Sequence, residues 1–185
     1  RLGGVNPDTF NAKATFICTN SGNLEISHAS QSVFRDSVFL NTTHSTAHII
    51  FCNSSTLATL EQEAVIVTGS TGLTNGKITL KALQQPSNKS NILNGTGNLL
   101  VNVDSCQFTG EVNITAPSIL IKNNIFNAAT TLIKTTASTN SYSSGGNVFN
   151  ASATIENQDA TRAFRLANET GDTYNADVKF DTGTN

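Results

Sequence analysis

Tryptophan and methionine are absent from this chain, tyrosine occurs only as Tyr142 and Tyr174, and charged residues make up 13% of its 185 residues. Each shortage excludes something. Sugars are commonly gripped by flat aromatic faces, so a glycan site here has to rely on hydrogen bonds from Asn, Ser and Thr. Eleven Lys and Arg, scattered without a basic run in a chain of net charge −2, leave no stripe for a phosphate backbone, which argues against nucleic acid as a partner. No stretch approaches the ~18 consecutive apolar residues of a membrane-spanning helix, so membrane insertion is not expected. The opening "RLGGVNPDTF" carries neither an initiator Met nor a signal-peptide core, and the chain reads as an excised domain or a processed product.

Cysteine is nearly as scarce. Cys18, Cys52 and Cys106 are odd in number and lack CxxC spacing, which speaks against a disulfide framework and a zinc ribbon. Each reads as a small buried apolar residue, with a bridge between one pair left open.

Grouped carboxylates are missing too. A glycan-cleaving site needs an acid and a base on one face, or a base paired with arginine, and the thirteen acids here are dispersed. Asp36 and Asp104 fall in adjacent columns of the repeat described below, but three turns of roughly 4.8 Å separate them, too far for a catalytic pair. Glu61 and Glu63 share a strand face and read as solvated surface. His44 and His48 in "HSTAH" lack a third ligand and a helix to carry them, so they read as surface or turn histidines. The glycine-rich "TGSTGLTNG" at 68–76 has no P-loop ending and reads as a turn. Seven N-x-Ser/Thr sequons begin at Asn41, Asn53, Asn88, Asn94, Asn113, Asn150 and Asn168, and chance alone yields about five or six at this composition. No catalytic residue, cofactor-binding residue or metal ligand is assigned, and no cofactor is expected.

What the chain does have is 18 Ser, 26 Thr and 23 Asn around short bursts of Val, Ile, Leu and Phe, an ordered, turn-rich β protein rather than a disordered one. It also has a repeat. "SVFRDSVF" ends at Phe39, "VNVDSCQF" at Phe108, "ILIKNNIF" at Phe126 and "SYSSGGNVF" at Phe149. Ser32, Val101, Ile119 and Tyr142 stand seven residues before each Phe; Phe34, Val103, Ile121 and Ser144 stand five before; Ser37, Cys106, Asn124 and Asn147 stand two before. Alternation up to the polar position predicts a strand with one buried face, and the slip in phase predicts a bend after which Phe points inward again. Asn tolerates left-handed backbone, so Asn124 and Asn147 read as the corner residues, helped by Gly145 and Gly146. Spacings of 18 and 23 residues, and 69 divisible into three turns, mark a solenoid. Between Phe39 and Phe108 the frame blurs into the bursts "HIIF", "AVIV", "KITL" and "NLLVNV". An antiparallel β-sandwich is the alternative fold, disfavoured because "NG" hairpin signals are few, at 75 and 94.

The "IxIxNNxF" type of turn, strongest at 99–108, 118–126 and 142–149 and suggested at 32–39, resembles the right-handed parallel β-helix proteins of the pectate-lyase-like superfamily. These include polysaccharide lyases and hydrolases, phage tailspikes and bacterial surface adhesin passengers. The resemblance covers about residues 14–160 and implies an all-β, right-handed parallel β-helix over residues 1–160, with residues 161–185 as a C-terminal capping or association segment. The lyases and polygalacturonases of this family carry paired aspartates and a basic motif downstream, which are not found here. The expectation is therefore a non-catalytic, extracellular or virion-surface attachment module binding a host-cell receptor or polysaccharide. A polysaccharide lyase or glycoside hydrolase and a structural spacer are the alternatives. Attachment proteins of this architecture are often trimers, so the resemblance also implies a homotrimer.

Overall fold

The computed structural model describes residues 2–52, 57–62, 64–68, 74–137 and 139–183. Among these there is no helix, and every pairing between the strands is parallel, which removes the antiparallel sandwich. The chain visits three sheets in turn and comes back to the first, coil upon coil, an all-β arrangement of stacked parallel strands consistent with a β-solenoid. The first sheet stacks eight short strands from Thr9–Phe10 to Thr173–Tyr174, and the second stacks eight from Ala14–Cys18 to Val178–Asp181. A third holds Asn23–Ile26, His48–Phe51, Lys77–Lys81, Leu100–Asp104 and Ser118–Lys122, after which Ser141–Tyr142 and Phe164–Arg165 pair with each other.

Alternation builds the interior. In the second sheet Phe16, Leu40, Ile114, Leu132 and Ile155 face inward, and in the third Ile49, Ile78, Val101 and Ile119 stack in register. In the first sheet an aromatic column runs Phe108, Phe126, Phe149, Tyr174, with successive ring centroids 5.9, 5.0 and 5.0 Å apart and planes within 18° of parallel. The ring spacing matches the roughly 4.8 Å between neighbouring strands, so offset stacking comes from the backbone repeat itself.

The early end of this column is Phe10 on Phe34, 4.7 Å apart, and not Phe39. Two Val-Phe pairs five residues apart make "SVFRDSVF" ambiguous. Phe39 lies in the second sheet between inward-facing Val38 and Leu40, half-exposed, with the Lys13 ammonium 4.8 Å from its ring. Tyr142 is a second correction. Its coil is out of phase: Ser141 and Ser143 turn inward, their hydroxyls accepting from the Ile119 and Ile121 N–H groups, while Tyr142 stays 44% exposed under the Arg165 guanidinium.

The corner assignment moves by one residue. At the corner that follows the third sheet, left-handed backbone occurs at Ser27, Cys52, Ala82, Ser105 and Asn123 (φ 50 to 57°), and in the next coil at Gly145 and Gly146 (φ 93° and 77°), and not at Asn124 or Asn147. At Ser105 and Asn123 the left-handed residue is exposed and the next side chain, Cys106 or Asn124, is delivered inside, whereas Ser27 and Cys52 are themselves buried. Asn124 and Asn147 are fully buried and form a ladder. The Cys106 N–H donates to Asn124 Oδ1 (2.9 Å); Asn124 Nδ2 donates to Val103 O (2.9 Å) and, with its own N–H, to Asn147 Oδ1; Asn147 repeats this onto Asp172 Oδ1 (2.8 and 2.9 Å). All three cysteines are buried and free.

Residues 161–183 add a further coil in register. Tyr174 joins the aromatic column, and Val178 and Phe180 lie over Ala153 and Ile155. No strand covers them among the described residues, and Val178 and Phe180 are 37% and 62% exposed. At the other end the Leu2 N–H donates to Glu25 O, and the Leu2 and Gly3 carbonyls accept from the His28 and Ala29 N–H groups, so the chain's start lies along the first strand of the third sheet.

Candidate functional site

The aromatic column is interrupted in the middle of the stack. Leu60 and Gln85 occupy its places between Phe34 and Phe108, and the outer surface opens there into a groove of about 240 Å³ lined by Thr59, Gln84, Gln85, Pro86, Gln107 and Thr109. No lining residue carries a charge.

The groove is built on a fixed floor. Buried Gln85 donates from Nε2 to Lys89 O (2.9 Å) and Ala64 O (3.3 Å), and its Oε1 accepts from Asn91 Nδ2 (2.6 Å). Asn91 Oδ1 in turn accepts from the Ile66 N–H, and its Nδ2 also reaches Glu111 O. A polar pair inside a parallel stack is tolerable because every donor and acceptor on it is used. The 86–90 segment closes one wall by passing over Gly110, where a β-carbon would collide with the Lys89 carbonyl.

Above that floor, Thr59, Gln84 and Gln107 follow one another in register on the outer face of the first sheet. Thr59 Oγ1 accepts from Gln31 Nε2 (3.2 Å). The Gln84 and Gln107 carboxamides make no hydrogen bond to any described residue, and they stand one strand spacing apart, roughly 4.8 Å. The site therefore presents two free donor–acceptor groups in a row beside the Pro86 ring. It can hold uncharged polar matter by paired hydrogen bonds, and none of its lining residues is ionisable near neutrality.

A second opening, about 460 Å³, lies near the last coil among Asn157, Asp159, Thr161, Arg162 and Thr182. Its carboxylate is already committed. Asp159 pairs with Lys134 Nζ at 2.9 Å, both side chains buried, and also accepts from the Ala137, Thr161 and Arg162 N–H groups. The Lys134 ammonium, then these backbone donors, hold its carboxyl well below the usual carboxylate range. Such a group neither gives nor takes a proton near neutrality.

The residues weighed from sequence fall elsewhere. Asp36 sits at the corner between the first and second sheets, bonded to the Ser37 N–H, while Asp104 ends a strand of the third sheet between Lys81 and Lys122, so the two share no face. Glu61 pairs with Arg35 at 3.1 Å; Glu63, Asn53 and the centre of "TGSTGLTNG" lie outside the described residues. His44 is exposed and bonded within its own turn to Thr46. His48 bonds Thr79 Oγ1 through Nε2 (2.9 Å), and burial, then the Lys77 charge, push it down to about 4 against a smaller opposing pull from Glu25. Among the described residues no three His, Cys, Asp or Glu are grouped so as to hold a metal ion.

Of the sequon asparagines, Asn41 and Asn113 are half-buried in strands, while Asn88, Asn94, Asn150 and Asn168 are exposed. Asn150 already bridges Asn127 and Asn175 in an outer amide ladder. The glutamine pair went unnoticed because 23 residues separate Gln84 from Gln107. The available signal was "LQQP" standing where the frame asks for a phenylalanine.

No protein-family model matches the chain, and searches of the curated proteins and of the solved structures returned no match.

Proposed function

We propose that the chain is a right-handed parallel β-helix of the pectate-lyase-like kind, working as a non-catalytic attachment module at an extracellular or virion surface. Its ligand is an uncharged glycan of a host-cell surface. The handedness rests on the rule that crossovers between parallel strands are overwhelmingly right-handed. The ligand class rests on one observation, the uncharged groove in which Gln84 and Gln107 present unused carboxamides in register. Carboxamides bond sugar hydroxyls as donors and acceptors alike, and each such bond is worth about 1 kcal/mol, so one groove binds weakly. Weak sites are effective in multiples, which fits a homotrimer presenting three grooves to one surface.

The test is a glycan array probed with the full chain, followed by titration of the strongest neutral glycan. Gln84→Ala/Gln107→Ala should weaken binding by about tenfold or more, the equivalent of two lost hydrogen bonds. Binding untouched by that change overturns the groove. Release of reducing or unsaturated sugar puts a hydrolase or lyase in place of the attachment module, and no glycan binding at all leaves a structural spacer.

A further inference from the structure

The outer row of the first sheet runs Val33, Thr59, Gln84, Gln107, Ile125, Val148, one residue per coil and in register. Its polar stretch ends abruptly. Directly beyond Gln107 stands Ile125, 38% exposed and outside the core, and beyond that the half-buried Val148. The step from a carboxamide to an exposed apolar side chain is one strand spacing, roughly 4.8 Å.

The same stack shows what amides do at that spacing. Asn127, Asn150 and Asn175, on successive coils, bond amide to amide at 2.8 and 2.7 Å, each Nδ2 donating to the Oδ1 on the coil before. Inside, Asn124 and Asn147 are bonded amide to amide at 2.9 Å. A carboxamide on one coil is therefore placed to bond an amide held over the next. Gln84 and Gln107 begin such a ladder without completing it. Neither carboxamide bonds a described residue, and the next rung falls on Ile125, which has no amide to offer. That vacant rung has a hydrogen-bonding edge at Gln107 and an apolar floor at Ile125.

We propose that the ligand fills this rung, and that the groove selects neutral glycans bearing an acetamido group; the inference rests on the glycan-binding reading of the groove and narrows its substrate class. An acetamido substituent is an uncharged amide that ends in a methyl group. Seated over Ile125, its N–H donates to Gln107 Oε1 in the sense of the outer asparagine ladder, and its methyl covers exposed Ile125 surface, which favours binding in proportion to the apolar area removed from water. A hydroxyl in the same place takes the hydrogen bond but leaves Ile125 wet. The methyl of a deoxy sugar covers Ile125 but leaves the Gln107 carboxamide unpaired, and an unpaired polar group is what a site discriminates against. A sugar acid finds no cation among the lining residues. Only the acetamido group answers both Gln107 and Ile125.

The test is an array holding oligomers of N-acetylglucosamine and N-acetylgalactosamine beside the matching glucose and galactose oligomers, with calorimetric titration of the full chain against both members of the pair it binds best. The acetamido member should bind about tenfold more tightly or better. Ile125→Gln supplies the missing rung from the protein itself and should bring that ratio to about one, whereas Ile125→Ala leaves the rung open, removes most of the floor and should reduce the ratio only in part. Equal binding within a pair that is still weakened by Gln84→Ala/Gln107→Ala keeps the groove as a glycan site and overturns the acetamido assignment. A preference that survives Ile125→Gln puts the acetamido group elsewhere and overturns it as well. If no neutral glycan binds at all, the groove reading falls and takes this inference with it. Should Ile125→Gln fail to fold by circular dichroism, Ile125→Ala and the wild-type ratio decide.

Discussion

The coils from Phe108 to Tyr174 and the coils from Ala58 to Asn91 use the same backbone path to opposite ends. The later coils repeat: an aromatic column, an internal amide ladder and an outer one at Asn127, Asn150 and Asn175. The middle coils replace the aromatic with Leu60 and Gln85, and the single buried Gln85–Asn91 pair does what stacking does elsewhere. Repetition makes each coil a copy of its neighbour and leaves a smooth wall. Breaking it costs stacking and opens a groove, and the free carboxamides stand there. In a parallel stack, specificity has to come from such departures, because a perfectly regular coil offers the same face at every level.

The sharpest way to break the contrast is to remove a ring from the regular half. Phe126 lies between Phe108 and Phe149, fully buried, and Phe126→Ala should cost about 3–5 kcal/mol, read as the shift in a denaturant or thermal transition. The same truncation at half-exposed Phe39 should cost under about 1 kcal/mol. Equal losses at the two sites would mean that the column has no special role.

A smaller effect separates the ladder from the corner. Asn124→Gly should cost at least about 2 kcal/mol, because it strands the Cys106 N–H and the Val103 carbonyl inside the stack. Asn123→Gly, one residue earlier, should be neutral or stabilising, since glycine relieves the left-handed backbone at φ 53° and the side chain is exposed. The reverse order would return the corner to Asn124.

These positions also mark what was readable from sequence. Parallel strands in coils of 18 to 26 residues were legible because the interior demands an apolar residue at fixed places in every turn, as at Val101, Val103, Ile119 and Ile121. The asparagines were legible as special, but assigned the wrong duty. Asn serves equally in a left-handed bend and in an amide ladder, and only the neighbours in space, Cys106 and Asp172, tell the two apart. Phe39 was mistaken for Phe34 because the connection from Ile26 to Phe34 is three residues longer than the one from Val103 to Phe108. Of the groove only "LQQP", standing where the frame asks for a phenylalanine, left a trace in the sequence. Its residues come from three coils, and register between coils of unequal length is set by packing rather than by any local pattern.

In the irregular half, Gln85→Leu restores an apolar residue to the column and tests whether the amide pair is mere interruption. It should destabilise by roughly 2 kcal/mol in spite of the apolar gain, because the hydrogen bonds that Gln85 gives to the Ala64 and Lys89 carbonyls and takes from Asn91 are all lost. The groove should widen or collapse with it, read as lost glycan binding. A more stable protein with binding intact would show that the floor is not needed.

The smallest effect concerns His48, on the third sheet's outer face below the middle coils. In the unfolded chain its imidazole titrates near 6.5, and in the folded protein burial and Lys77 bring this down to about 4. The unfolded state therefore binds the extra proton between these two values, so stability is full above about pH 6.5 and falls as pH drops toward 4. His48 is half-exposed, and solvent screening reduces the loss to roughly 1 kcal/mol. His48→Gln should keep a bond to Thr79 and flatten the profile over that window, whereas Phe126→Ala should lower it without changing its slope. If His48→Gln leaves the slope unchanged, the acid sensitivity belongs to carboxyls held down by a cationic partner, Asp159 beside Lys134 first among them, and not to the face that His48 shares with Lys77 and Thr79.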